Sequence, residues 1–431
     1  MNVFVKMESN VRSYCRSFPK VFNRAKGSKL FDEDGNAYID FFAGAGALNY
    51  GHNNEYIKKA LLSYIESDGI SHGLDMYTVA KKEFMTTFNK LILEPRNLDY
   101  KLQFCGPTGT NAVEAALKLA RKVKKRTNIL AFMGAFHGMT LGSLSVTSGL
   151  DIRRGAGVPL GNVSFLPYPS QEFEGIDTLA FMRQVLTDDH SGVDKPAAVI
   201  LETTQAEGGI NVAPTEWLQE VSKICKENDI LLIVDDVQVG CGRTGEFFSF
   251  ERAGIEPDMV VLSKSISGYG LPMSLLLLKP ELDIWEPGEH NGTFRGNQMA
   301  FVAAKAALIY REESKLEESV KEKEKFIKNY IEQNILPLDP NLYARGIGLI
   351  WGIDCSKLGG GDFAKEVCQE CFSKNMIIER AGRGDSVVKL MPALTIKFDE
   401  LKEGCKIVRE SIEKCLIRRK REDNEKSSNC A

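Results

Sequence analysis

The sequence predicts an α/β protein: a large domain with a mostly parallel, mixed sheet flanked by helices, plus a smaller α+β domain. Three observations carry that expectation. Short continuous apolar runs recur between residues 128 and 278, as strands covered on both faces require. Helical stretches lie between several of them, and this alternation points to a largely parallel sheet. At 431 residues the chain is long enough for two packed domains. The expected division is an N-terminal segment, 1–55, belonging to the small domain, a large domain over 56–315, and a C-terminal small domain over 316–431.

Taken in order, Val11 to Pro19 mixes arginines and aromatics without a clear period. FDEDGNAYIDF then reads as two short β segments around a turn at Asp34-Gly35. Candidate strands follow at 128–133, 198–203, 230–235, 258–262 and 274–278, with helices at 110–123 and 215–228. Beyond about residue 313 come a charged helix, a Gly-rich piece and further helices, one of them over 362–375. The last fifteen residues read as a frayed, solvated tail, with the basic cluster Arg418 to Arg421 as a solvated helix end.

Composition excludes several classes. A formal net charge of −3 lacks the positive field that nucleic-acid binding needs. No apolar stretch approaches a membrane span. The opening MNVFVKMESN has neither the apolar run nor the cleavage site of a secretory signal, so a cytoplasmic protein is expected. The ten cysteines are scattered, and free thiols in a reducing compartment are the expectation. Cys368 and Cys371 form a C-x-x-C inside a helical pattern, but no second pair completes a zinc site, and no metal is expected there.

The segment that carries chemistry runs from Leu231 to Gln238, continues through Gly240 to Gly245, and reaches Lys264. Asp235 ends an apolar strand, and such ends lie at the carboxyl edge of the sheet, where open α/β folds bind ligands. A lone strand-terminal Asp is commonly a solvated or capping residue. The second strand, 258–262, ends in Ser263-Lys264 and delivers an amine to the same edge. Together they meet the needs of pyridoxal-5′-phosphate (PLP) chemistry: a lysine to bond the cofactor aldehyde and shuttle protons, and a carboxylate to keep the pyridine nitrogen protonated. Gly106-Pro107-Thr108-Gly109-Thr110-Asn111 opens a helix whose free N–H groups, with two threonine hydroxyls, suit a phosphate. By itself that segment is more often a plain N-cap. Phe136, after the strand at 128–133, could cover a ring face, although an aromatic there is ordinarily core.

With these residues in place, the chain resembles the class III (ω-amino acid) aminotransferases of PLP fold type I. The matching stretches are GHNN (51–54), GPTGTNAVEAALKLAR (106–121), FHGMT (136–140), ETTQAEGG (202–209), IVDDVQVGCGRTG (233–245), LSKSISGYGLP (262–272) and GTFRGN (292–297). Seven motifs in order make a specific signal. The resemblance implies that Lys264 is the Schiff-base lysine, that Asp235 partners the pyridinium nitrogen, and that Gln238 bonds the phenolic oxygen. It further implies that Phe136 stacks on the ring, that Gly109 and Thr110 bind the phosphate, and that Thr293 reaches that phosphate from a neighbouring subunit of at least a homodimer. Glu202 would lie near the cofactor and Glu207 would belong to a substrate gate.

Two departures stand out. Asp235-Asp236 replaces the more frequent Asp-Glu, and Lys389 stands where many relatives carry an arginine that grips a carboxylate. A lysine offers a point charge where arginine offers a fork. Arg12 and Arg16 are candidates to supply that fork, although arginines in an N-terminal arm are more often surface charge. The implied reaction is ping-pong transamination, with L-glutamate as donor and L-aspartate 4-semialdehyde as acceptor, giving 2-oxoglutarate and L-2,4-diaminobutyrate. Alternatives are an ω-aminotransferase acting on ornithine, GABA or a polyamine, an aminomutase, and a non-catalytic PLP-binding regulator. The regulator would need a fused DNA-binding module, and none is visible.

Overall fold

A computed structural model describes residues 3–429, with side chains through residue 422. Its centre is a seven-stranded sheet. From one edge to the other the strands are Lys101–Phe104, Leu275–Leu278, Met259–Leu262, Leu231–Asp235, Ala198–Leu201, Ile129–Phe132 and Val163–Leu166. Leu275–Leu278 pairs antiparallel with both its neighbours, and the remaining pairings are parallel. All six other strands therefore point the same way and end on one edge.

The burial pattern explains why the central strands are uniformly apolar. Leu232, Val234, Val260, Leu262, Leu275 and Leu277 pack into the core on one face. Their sequence neighbours Leu231, Ile233, Met259, Val261, Leu276 and Leu278 pack into the core on the other. Period-two alternation is present in the geometry but invisible in the sequence, because both faces are dry. The second face is covered by the helix Gly109–Lys124, which buries Ala112, Ala115, Ala116 and Ala120. Alanines let the helix lie close to the sheet.

Two four-stranded sheets flank this centre. One joins Phe22–Lys26, Lys29–Asp32 and Ala37–Asp40 to the distant strand Met376–Ile377, with Ile39 opposite Met376. The other runs Tyr343–Ile347, Ile350–Asp354, Val387–Leu390 and Glu379–Ala381. A separate core links Phe41 and Tyr50 to Val367, Leu401 and Val408.

The five expected strands and both expected helices lie where the apolar pattern put them, within one or two residues. The tail departs from expectation. Phe398–Asn429 is one helix, so the stretch read as frayed continues helical to Asn429, in keeping with the Arg, Lys and Glu that fill it. Residues 430 and 431 of that tail lie outside the described residues.

Candidate active site

The carboxyl edge of the central sheet gathers the chemistry. Asp235 aligns with Val261 in register, so Lys264 emerges three residues beyond it from the adjacent strand. Lys264 has φ +51°, a left-handed conformation that costs a non-glycine residue about 1 kcal/mol or more and persists only where its surroundings hold it. Here the neighbours do so. Ser265 Oγ donates to Gly46 O at 2.6 Å and accepts from Asn49 N at 3.0 Å, pinning the turn to the segment 43–49. The Lys264 ammonium donates to Ala45 O at 2.8 Å. Burial pushes the Lys264 pKa down, opposed in part by the charges of Glu207, Glu379 and Asp235.

Asp235 accepts from Val237 N at 3.1 Å through Oδ1, and its Oδ2 lies 2.7 Å from His137 Nδ1. His137 is fully enclosed, its backbone N–H donates to Thr147 Oγ1, and its Nε2 has no protein partner. The imidazole thus orients the carboxylate. Sequence reasoning passed over His137, whose only signal was its place directly after Phe136 at a strand end. Glu202 is a second buried carboxyl. Burial and then the nearby charge of Asp235 push its pKa well up, although Phe136 N donates to it. Two acids with different environments therefore stand side by side.

A cavity of about 300 Å³ opens in front of these groups, lined among others by Gly109, Thr110, Phe136, Asp235, Gln238 and Lys264. The helix begins at Gly109 on the cavity lining, beside Thr110, and Thr108 caps that end without a side-chain hydrogen bond to it. Gly138 has φ +125°, and a Cβ there would collide with the Thr110 hydroxyl, so only glycine leaves the threonine its place. Gln238 Nε2 donates to Ala45 O at 2.9 Å while its buried Oε1 has no partner. An amine, an oriented carboxylate, an amide with a free oxygen and a helix N-terminus around one slot match the functional groups of PLP. The residues fit the cofactor.

Of the other expected residues, Glu202 and Glu207 share the lining, whereas Thr293, Arg12, Arg16 and Lys389 do not. Thr293 is exposed, beside Phe294, which is 67% exposed. Arg16, exposed, donates to the backbone carbonyls of Asn10 and Arg12, and Arg12, half-buried, to those of Glu8 and Ser9. Lys389 has no exposure at all. Its Nζ sits 2.8 Å from Glu207 Oε1 and 2.7 Å from Glu379 Oε1. Glu207 faces the cavity and is a third exposed. Burial would raise its pKa, but the ammonium groups of Lys389 and Lys264 outweigh burial and hold it below the usual range. Glu379, absent from the sequence reading, is raised by burial.

The sequence profile of the Aminotransferase class-III family matches residues 12–412. The chain is 56% identical to a diaminobutyrate–2-oxoglutarate transaminase of Halalkalibacterium halodurans, over 97% of this chain and 98% of that one. A protein of the same name from Wolinella succinogenes is 54% identical, over 97% of each. In structure the chain is similar to an ornithine aminotransferase from Toxoplasma gondii, with TM-score 0.84 and 23% identity over 97% of this chain and 94% of that one. A transaminase from the marine bacterium Virgibacillus superposes with TM-score 0.85 and 18% identity, over 96% of this chain and 98% of that one. At such identities the structural likeness speaks for the fold alone.

Proposed function

The chain belongs to the class-III aminotransferases, and from that membership we infer its reaction: reversible transfer of the amino group of L-glutamate to the aldehyde carbon of L-aspartate 4-semialdehyde, giving 2-oxoglutarate and L-2,4-diaminobutyrate. The observation that carries this reading is the 56% identity, over nearly the whole of both chains, to a transaminase of that name.

The enzyme uses PLP, which when bound supplies an aldehyde that takes up amines and a ring that draws electrons from the substrate carbon. Lys264 would hold it through Nζ, Asp235 its ring nitrogen, Gln238 its phenolic oxygen, Phe136 its ring face, and Gly109 with Thr110 its phosphate. The lowered pKa of Lys264 suits its Nζ to take a proton from one carbon and return it to another near neutral pH. His137 keeps the Asp235 carboxylate in one orientation. Both half-reactions use one site in turn, which makes the kinetics ping-pong. Glu207 lines the cavity with the Lys389 ammonium directly behind it, and this pair would sort the groups that enter.

A homodimer is part of this reading, with Thr293 of each copy serving the other's phosphate end. The surface around it supports that. Tyr77 is fully exposed, and Val79 and Phe294 are 71% and 67% exposed, while a His72–Asn297 bridge ties the two segments together. Light scattering should give twice the chain mass. No described helix is long and apolar enough to cross a membrane, and a cytoplasmic location goes with this reading.

The reaction is tested with purified, PLP-loaded protein, nitrogen-labelled glutamate and aspartate 4-semialdehyde, followed by mass spectrometry. Labelled diaminobutyrate is expected. Amination of only the semialdehydes related to ornithine or GABA would overturn the substrate assignment. Turnover without any 2-oxo acid would mark an aminomutase.

A further inference from the structure

Glu379 and Lys389 are direct partners across the antiparallel pair Glu379–Ala381 and Val387–Leu390, so their side chains share one face of that sheet. Glu207 approaches the same ammonium from a different element, the turn between Thr204–Gln205 and Asn211–Val212. The backbone of that turn is pinned. Glu207 O accepts from Gly382 N at 2.9 Å, and Gly209 O accepts from Arg345 Nε at 2.8 Å. Any adjustment toward an entering molecule must therefore come from the Glu207 side chain, which lines the cavity, while Lys389 and Glu379 lie behind it.

Two carboxylates and one ammonium leave one negative charge in this cluster. Lys264, Glu202, the Cys368 thiol and the Tyr14 hydroxyl are titratable groups within electrostatic reach of it. Were Lys389 paired with Glu207 alone, a swing of Glu207 would bare a full positive charge to substrate carboxylates. Glu379 prevents that, because it stays on the same sheet as Lys389 and keeps it neutralised.

We propose that Glu379 is a specificity-determining residue: by retaining the Lys389 ammonium it withholds that charge from substrate carboxylates and leaves Glu207 to meet a substrate ammonium. This rests on the transaminase reading above. Its two amino donors differ in the required sense. Apart from the reacting amine, glutamate brings two carboxylates, whereas diaminobutyrate reacting at its terminal amine brings one carboxylate and one ammonium. A cluster with one net negative charge favours the second, and removing that charge favours the first.

The experiment measures both half-reactions by stopped flow in wild type, Glu379→Gln and Glu379→Asp, together with calorimetric binding of glutarate, a dicarboxylate without an amine. In Glu379→Gln the apparent affinity for glutamate relative to diaminobutyrate should rise about tenfold, as expected for one charge at short range in a partly screened site. The maximal rates should stay within about twofold, because nothing at the reacting carbon changes. Glutarate should bind tighter by a similar factor. Glu379→Asp, which keeps the charge but retracts it, should shift both in the same direction by less, and it decides the matter if the amide variant does not fold. An unchanged ratio with unchanged glutarate binding in a folded variant overturns the proposal, as does an equal loss of both half-reactions. A wild type that never turns over diaminobutyrate fails the reaction assignment alone, and glutarate binding then still decides the role of Glu379.

Discussion

The two charged centres of this molecule are built in opposite ways. Lys264, Asp235 and the turn bearing His137 all leave the carboxyl edge of one sheet, where strand register sets where each strand ends. Glu207, Lys389 and Glu379 come together from a short hairpin turn and a separate four-stranded sheet, with more than 170 residues between the first and the other two. The first centre is rigid because the core on both sides of the central sheet holds it. The second depends on how two sheets meet, and one member of it, Glu207, faces open space. The chemistry is thus tied to the most constrained part of the fold, and the choice of substrate to the seam between parts.

Substitutions can break or sharpen this contrast, and the largest effect belongs to the rigid centre. Lys264→Ala should reduce turnover by at least about 10⁴-fold and abolish the near-visible absorbance of lysine-bound cofactor, since both the covalent attachment and the proton carrier are lost. Retention of transamination would remove the foundation of the site. Asp235→Asn should still bind PLP yet slow both half-reactions by about 10³-fold, the size expected when a preorganised charge is removed. Single-turnover rates near wild type would exclude that role. His137→Phe tests whether orientation of Asp235 matters. A lost hydrogen bond to a charged group predicts a fall of about 10- to 100-fold in the single-turnover rate, with cofactor still retained on dialysis.

Smaller and more selective effects belong to the seam. Lys389→Ala leaves two carboxylates facing each other, so the glutamate half-reaction should lose about tenfold more than the diaminobutyrate one. Equal losses in stopped-flow traces would erase the distinction between the two centres. The subtlest case is Asp236. It is fully buried and accepts from Ser249 N and Ser249 Oγ, and burial raises its pKa to about 7. A carboxyl whose folded pKa lies above its unfolded value binds more protons when folded, so its contribution to stability is present below about pH 4 and is lost as pH rises towards 7. Asp236→Asn removes that slope. The difference in melting temperature between variant and wild type should drift upward by on the order of a few °C from pH 4.5 to 7.5. A flat difference would contradict the assignment.

The contrast also explains what the sequence disclosed. Leu231–Asp235 and Met259–Leu262 were legible as continuous apolar runs because cores cover both faces, and Asp235 and Lys264 follow from where those runs stop. The edge strands Lys101–Phe104 and Val163–Leu166 were missed because they are mostly half-buried and mix polar with apolar residues. His137 carried a faint signal at a strand end. Glu379 carried none: ERAGRGD reads as a polar loop, and only the pairing across to Lys389 reveals the carboxylate as interior. Propensity and pattern register local burial, while a contact between distant strands is a property of topology. Tyr14 shows the same limit. It lies in an arm without periodicity, yet its hydroxyl feels the charges of Glu379, Glu207 and Lys389.

The flanking sheet in which Ala37–Asp40 lies beside Met376–Ile377 has a consequence for how the protein is made. Those first strands leave the ribosome early, but their parallel neighbour is not synthesised until more than three hundred residues later. The stretch that follows them offers Ala45 O to the lysine amine and Gly46 O to the serine beside it. The opening of the polypeptide can pair its own three strands but must wait, with the edge at Ala37–Asp40 open, while the central sheet collapses behind it. A nascent chain cut short before residue 376 would own every strand of the central sheet and still lack the clasp that steadies its reactive nitrogen.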